Sequence, residues 1–99
     1  MPAYFIVFRD EMKNADQYAA YGQKAAASFA GHDIKVLSAN GPVTPLEGVP
    51  PDGVVLIEFP TVQAAKDWYY SPAYQAVIGQ RFEATSGRAV IIESPTPPG

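Results

Sequence analysis

The segment Val54-Val55-Leu56-Ile57-Glu58-Phe59 is apolar at every position but one. Side chains of a strand point alternately to the two faces of a sheet, so a run of this kind needs cover on both faces. Tyr4-Phe5-Ile6-Val7-Phe8, closed by Arg9-Asp10, and Ala89-Val90-Ile91-Ile92-Glu93 have the same character. Ile34-Lys35-Val36-Leu37-Ser38 alternates apolar and polar residues instead, which reads as an edge strand. The stretch from Asn40 to Gly53 is rich in proline and glycine, and is expected to be a loop with at most a short extended piece at Val43 to Glu47.

Two helical patterns separate these strands. The first opens at Asn14 with Gln17 three residues on, a capping-box spacing, and places Tyr18, Tyr21, Ala25 and Phe29 on one face before Gly31 stops it. The second starts near Thr61 and turns Val62, Ala65, Trp68 and Tyr69 inward and Tyr70 outward. Proline disfavours the α conformation in the residue before it, so Ser71-Pro72 interrupts that helix and caps a continuation. The continuation carries Tyr74, Val77, Ile78, Arg81 and Phe82 on its inner stripe and is expected to fray at Ser86-Gly87.

The order β-α-β-β-α-β in a chain of 99 residues allows one domain, assigned to residues 1–93, with a proline-rich tail at 94–99. Its simplest fold is ferredoxin-like α+β: a four-stranded antiparallel sheet with two helices on one face. The other face would then expose a larger apolar patch than a monomer normally tolerates. A homodimer through that open sheet face, a dimeric α+β barrel, is therefore expected.

The net charge of −3 with no basic run argues against a nucleic-acid or anionic-membrane partner. No cysteine is present, which removes disulfides and thiolate chemistry. The N-terminus has no export pattern and no apolar run reaches membrane-spanning length, so the expected compartment is the cytoplasm. One histidine and scattered carboxylates give no metal-ligand spacing, and nucleotide fingerprints are absent, so no metal or other cofactor is expected.

Few residues can carry chemistry. Arg81 on a buried stripe needs a carboxylate or an anionic ligand, because a lone buried charge is very costly. It reads either as one half of a structural bridge to Glu47 or Glu58, or as an anion clamp. Glu58 should point to the face opposite Ile57 and Phe59, where desolvation would suit it to act as a base, with Glu47 as the alternative. His32 follows the first helix, where it serves either as a favourable charge at the helix end or as a proton-transfer group. Trp68, Tyr69 and Tyr74 are either core or the apolar wall of a site for a small, partly apolar, anionic or carbonyl-bearing molecule. Such a site suits a cofactor-free acid-base enzyme or a non-catalytic binding protein.

Tyr4, the helix of Tyr18 and Tyr21, Leu46-Glu47-Gly48, Val55-Leu56-Ile57-Glu58-Phe59-Pro60, Ala65, Trp68-Tyr69, Ser71-Pro72, Tyr74-Gln75 and Arg81 resemble the pattern of the domain-of-unknown-function 1330 family, within the dimeric α+β barrel superfamily. The resemblance spans nearly the whole chain and implies the dimeric barrel. It assigns no activity, since superfamily relatives include cofactor-free monooxygenases, isomerases and decarboxylases as well as ligand-binding proteins. The chain departs from the family at Asp33-Ile34, where a glycine pair is typical, and at Ala39-Asn40-Gly41, where an arginine often precedes two glycines. A ligand contact at Asn40 would thus differ from that of its relatives.

Overall fold

The computed structural model describes residues 1–95, and Thr96 to Gly99, most of the expected tail, lie outside them. Strand β1 (Ala3–Met12), helix α1 (Ala15–Ala27), strands β2 (Lys35–Ala39) and β3 (Gly53–Phe59), helices α2 (Val62–Tyr69) and α3 (Pro72–Ala84), and strand β4 (Thr85–Glu93) follow in order. All strand pairs are antiparallel and the sheet order is β2-β3-β1-β4, which is the ferredoxin-like α+β arrangement.

Three helices replace the expected two because the break at Ser71 is complete. Ser71 is extended (φ −63°, ψ 148°), as the residue before a proline prefers. Its hydroxyl donates to the Trp68 carbonyl at 2.6 Å and accepts the Tyr74 amide at 3.3 Å, closing α2 and opening α3. The two helices then separate in function. Helix α2 packs on β1, β3 and β4, while α3 packs chiefly against α1.

Other boundaries shift for equally local reasons. Helix α3 does not fray at Ser86-Gly87. It stops at Ala84 and β4 begins at Thr85, whose hydroxyl donates to the Arg81 carbonyl at 2.8 Å. Thr85 and Ser86 join β4 because β1 runs on past Asp10 to Met12 and gives them partners, across a bulge between Arg9 and Glu11, while Gly87 and Arg88 pair with Arg9 and Phe8. Gly87 is needed there, since a Cβ would overlap the Phe8 carbonyl. Strand β2 is an edge strand as expected, but it starts at Lys35 and leaves Val36 and Leu37 exposed. The expected extended piece at Val43 to Glu47 forms no strand.

Asn14 caps α1 by accepting the Gln17 amide at 3.0 Å, but the Gln17 side chain does not reach back. It donates to Glu83 at 2.8 Å and ties α1 to α3. Phe82, expected on the inner stripe of α3, is exposed; Ala84 and Thr85 are buried in the following turn. Ser94 is held by its amide, which donates to the Pro2 carbonyl at 2.9 Å, so the expected tail is anchored at its first residue.

The core lies between the sheet and the helices. Phe5, Ile57 and Phe59 point up from the strands to meet Trp68, Tyr74 and Ile78. Trp68 is the hub, with ring centroids 5.3 Å from Phe5, 5.7 Å from Phe59 and 4.2 Å from Tyr74. Its indole N–H donates to the Ser28 hydroxyl at 3.0 Å, which gives a buried polar atom its partner. Strand alternation sends Tyr4, Ile6, Phe8, Leu56, Val90 and Ile92 to the face away from the helices, where Tyr4 pairs with Glu58 and Ile92.

Candidate functional site

Because α1 leans on α3, a cavity of about 270 Å³ remains between α1 and the sheet. Its outer lining residues, Gly22 and Ala26 of α1 facing Val36, Ala39 and Asn40 of β2 and its end, are exposed and form the mouth. Its inner residues are buried: Phe5, Ile57, Trp68, Tyr21, Tyr74 and Arg81. The wall is apolar almost throughout, with polar atoms at its inner end and at its mouth.

Three groups meet there. Tyr21 from α1 and Tyr74 from α3 hydrogen-bond through their hydroxyls at 2.6 Å. Burial raises the pKa of both phenols, and for Tyr21 the neighbouring Tyr74 raises it further; the Arg81 guanidinium opposes the rise in each. Both tyrosines are therefore neutral over the ordinary pH range. Arg81 is 7% exposed, and its buried Nε has no hydrogen-bond partner among the described residues. The Phe82 ring, 5.1 Å from the guanidinium carbon, offers a weak cation–π contact and no counter-charge.

A second polar cluster sits at the mouth. Asn40, with a left-handed φ of 62°, accepts the Arg9 Nη1–H at 2.7 Å and donates to the Tyr18 hydroxyl at 3.1 Å. Arg9 also lies over the Tyr18 ring, 5.0 Å from its centroid, and forms an ion pair with Asp52 at 3.3 Å. The mouth therefore has a fixed edge that ties β1, α1 and the β2–β3 loop together.

The sequence-derived candidates divide. Arg81, Trp68, Tyr74 and Asn40 come together around the cavity. Tyr69 lies on the other side of Trp68, where with Phe5, Tyr70 and Ile91 it lines a separate hollow beside β4. Glu58 is half-buried on the open face of the sheet, Glu47 is exposed in the β2–β3 loop, and half-buried His32 follows α1; none of the three lines the cavity. The expected bridge from Arg81 to Glu47 or Glu58 is not formed. The reason is alternation: with Ile57 and Phe59 directed toward the helices, Glu58 is directed away from Arg81.

Tyr21, Tyr18 and Arg9 do not stand out as site residues in the sequence. Tyr21 reads as ordinary helix core by its spacing, and only its meeting with Tyr74 across 53 residues makes it part of the site. Arg9 reads as a polar strand end. Among the described residues, no group of three or more His, Cys, Asp or Glu side chains is placed to hold a metal ion, and no helix is long and apolar enough to cross a membrane.

The fold has clear relatives among solved structures. A protein of unknown function from Rhodopseudomonas palustris, RPA0582, superposes with a TM-score of 0.74 at 22% identity, covering 97% of this chain and 84% of its own. SnoaB, a cofactor-independent oxygenase from Streptomyces nogalater, superposes at 0.59 with 9% identity, covering 97% of this chain and 94% of its own. A dimeric protein of unknown function with a ferredoxin-like fold from Bacteroides fragilis gives 0.55 at 14% identity, covering 94% and 95%. These likenesses establish the fold. No curated protein matches the sequence. The sequence pattern of a domain of unknown function, DUF1330, matches residues 2–95, and the chain belongs to that family.

Proposed function

We propose that this protein is a homodimer that binds a small, partly apolar molecule carrying an anionic or carbonyl oxygen, with Arg81 holding that oxygen and Trp68 and Tyr74 enclosing the apolar part. The observation that carries the reading is Arg81: a residue 7% exposed that lines an otherwise apolar cavity and makes no ion pair among the described residues. A fold does not retain an unpaired buried charge without cost, and a ligand is what would complete it. Binding is favoured over acid-base catalysis because Glu58, Glu47 and His32, the groups suited to act as a base, lie outside the cavity lining. Dimerisation through the open sheet face is supported by Tyr4, Ile6, Phe8, Leu56, Val90 and Ile92, which would otherwise form an apolar surface in water.

Trp68 is the only tryptophan and lines the cavity, so its fluorescence reports occupancy directly. Titration with a panel of single-ring acids, ketones and amides should shift its emission and raise the melting temperature for at least one member. A panel that leaves both unchanged at millimolar concentration defeats the binding reading. Light scattering at low micromolar concentration should give twice the chain mass, and a well-folded monomer there defeats the dimer.

A further inference from the structure

The charge, the donor count and the volume of the cavity together narrow the ligand. We infer that the cavity is built for a monocarboxylate of about 11 non-hydrogen atoms with one aromatic ring, an arylalkanoate, its carboxylate bound by Arg81 and by a hydroxyl of the Tyr21–Tyr74 pair. This rests on the binding reading above and specifies its ligand.

The charge comes first. Arg81 brings a permanent positive charge to the inner end. The buried residues lining the cavity include no carboxylate, and burial keeps both neighbouring phenols protonated, so nothing in the wall neutralises the guanidinium. A neutral carbonyl would satisfy a hydrogen bond and leave the charge uncompensated; a monoanion satisfies both. A second negative charge in the buried part of the cavity would lie against Phe5, Ile57 or Trp68, where nothing would solvate it.

The donors agree with this. Two hydroxyls share one hydrogen bond at 2.6 Å, which uses one of their two protons and leaves the other free to be donated. Arg81 lines the same cavity and brings further N–H donors in its guanidinium. A guanidinium and a spare phenol proton at one cavity match a group with two acceptor oxygens and no proton.

Volume and wall chemistry set the rest. An apolar cavity of about 150 Å³ takes a benzene. Scaling by volume, the cavity of about 270 Å³ takes about 11 non-hydrogen atoms, the size of 3-phenylpropanoate. The wall offers the rings of Phe5, Tyr18, Phe29 and Trp68, which favour a flat aromatic body over a flexible chain of equal volume.

The test compares 3-phenylpropanoate with 3-phenylpropanamide on the wild-type protein by calorimetry and Trp68 fluorescence, with octanoate and 3-(2-naphthyl)propanoate as shape controls. The acid should bind about 30-fold or more tightly than the amide, since only the acid brings a negative charge to compensate the guanidinium. It should also exceed octanoate, and the two-ring acid should bind more weakly than the one-ring acid. Arg81→Met should remove the preference for acid over amide, and Tyr74→Phe should reduce it in part. Equal binding of acid and amide overturns the carboxylate assignment and leaves the binding reading standing. Preference for octanoate or for the two-ring acid overturns the arylalkanoate assignment. Failure of every compound overturns both. The comparison of ligands on the wild-type protein decides even if a variant does not fold.

Discussion

Tyr21 and Tyr74 join hydroxyl to hydroxyl at 2.6 Å, and they are the polar link between α1 and α3 at the inner end of the cavity. Removing one hydroxyl leaves the other buried without this partner. Either Tyr21→Phe or Tyr74→Phe should cost about 1 to 2 kcal/mol in urea unfolding, and the double variant should cost less than the two added together.

The same pair fixes an alkaline limit to stability. Burial raises both folded-state pKa values above that of a free tyrosine, so the native state keeps protons that the unfolded chain releases. The resulting stability is fully present below the unfolded value of about 10 and is lost as the pH rises through the folded values. Above pH 10 (about the free tyrosine value) the unfolding free energy should fall by about 1.4 kcal/mol per pH unit for each tyrosine still protonated in the fold. The Phe–Phe double variant should flatten that fall. An unchanged slope would show that the hydroxyls are not protected in solution.

Arg81→Met should leave the ligand-free protein as stable as the wild type or more stable by about 1 to 3 kcal/mol, because it exchanges an unpaired buried charge for an apolar chain of similar length. A loss of more than about 2 kcal/mol would mean that the fold itself holds the guanidinium. Stability and ligand affinity should therefore respond to this substitution in opposite directions, as expected of a residue kept for its site.

Ser28→Ala should destabilise by about 1 to 3 kcal/mol although it removes a single oxygen, since the buried Trp68 indole N–H then loses its acceptor. Trp68→Phe in that background removes the stranded donor, so the serine change should then matter little. Full additivity by denaturant titration would contradict the hydrogen bond.

Two glycines offer an internal contrast. Gly87→Ala should cost more than about 2 kcal/mol, because its Cβ would overlap the Phe8 backbone carbonyl, which cannot move without breaking the β1–β4 pairing. Gly79→Ala, within α3 and with open space around it, should stabilise by about 0.5 to 1 kcal/mol. Melting temperatures shifted in the same direction would refute this.

Local signals make the scaffold legible in the sequence. The Ser71-Pro72 break, the Asn14 and Thr61 helix starts and the two-faced strands each depend on near neighbours, so the order of elements and the sheet follow from composition and spacing. Thr85 and Ser86 do not read as strand because their pairing is dictated by the distant end of β1, which no local composition records. The site is half legible. Arg81 stands out as a charge on an apolar stripe, but its expected partners qualify only by being acidic, and strand alternation already assigns Glu58 to the far face. The Tyr21–Tyr74 pair and the Arg9–Asn40–Tyr18 cluster are meetings of residues far apart in the chain, which helical spacing alone cannot register.

The interruption at Ser71 has an evolutionary corollary. An unbroken helix would bind the geometry of the cavity to that of the sheet, so that any enlargement of one would misalign the other. Here the segment seated on the strands and the segment that lines the cavity are joined at one serine and one proline, with the Trp68 ring bridging them. Relatives could thus drift in what they accommodate by adjusting α1 and α3, while the strand layer stays under separate selection. The variable to follow across the family is then the tilt of α3 relative to α1.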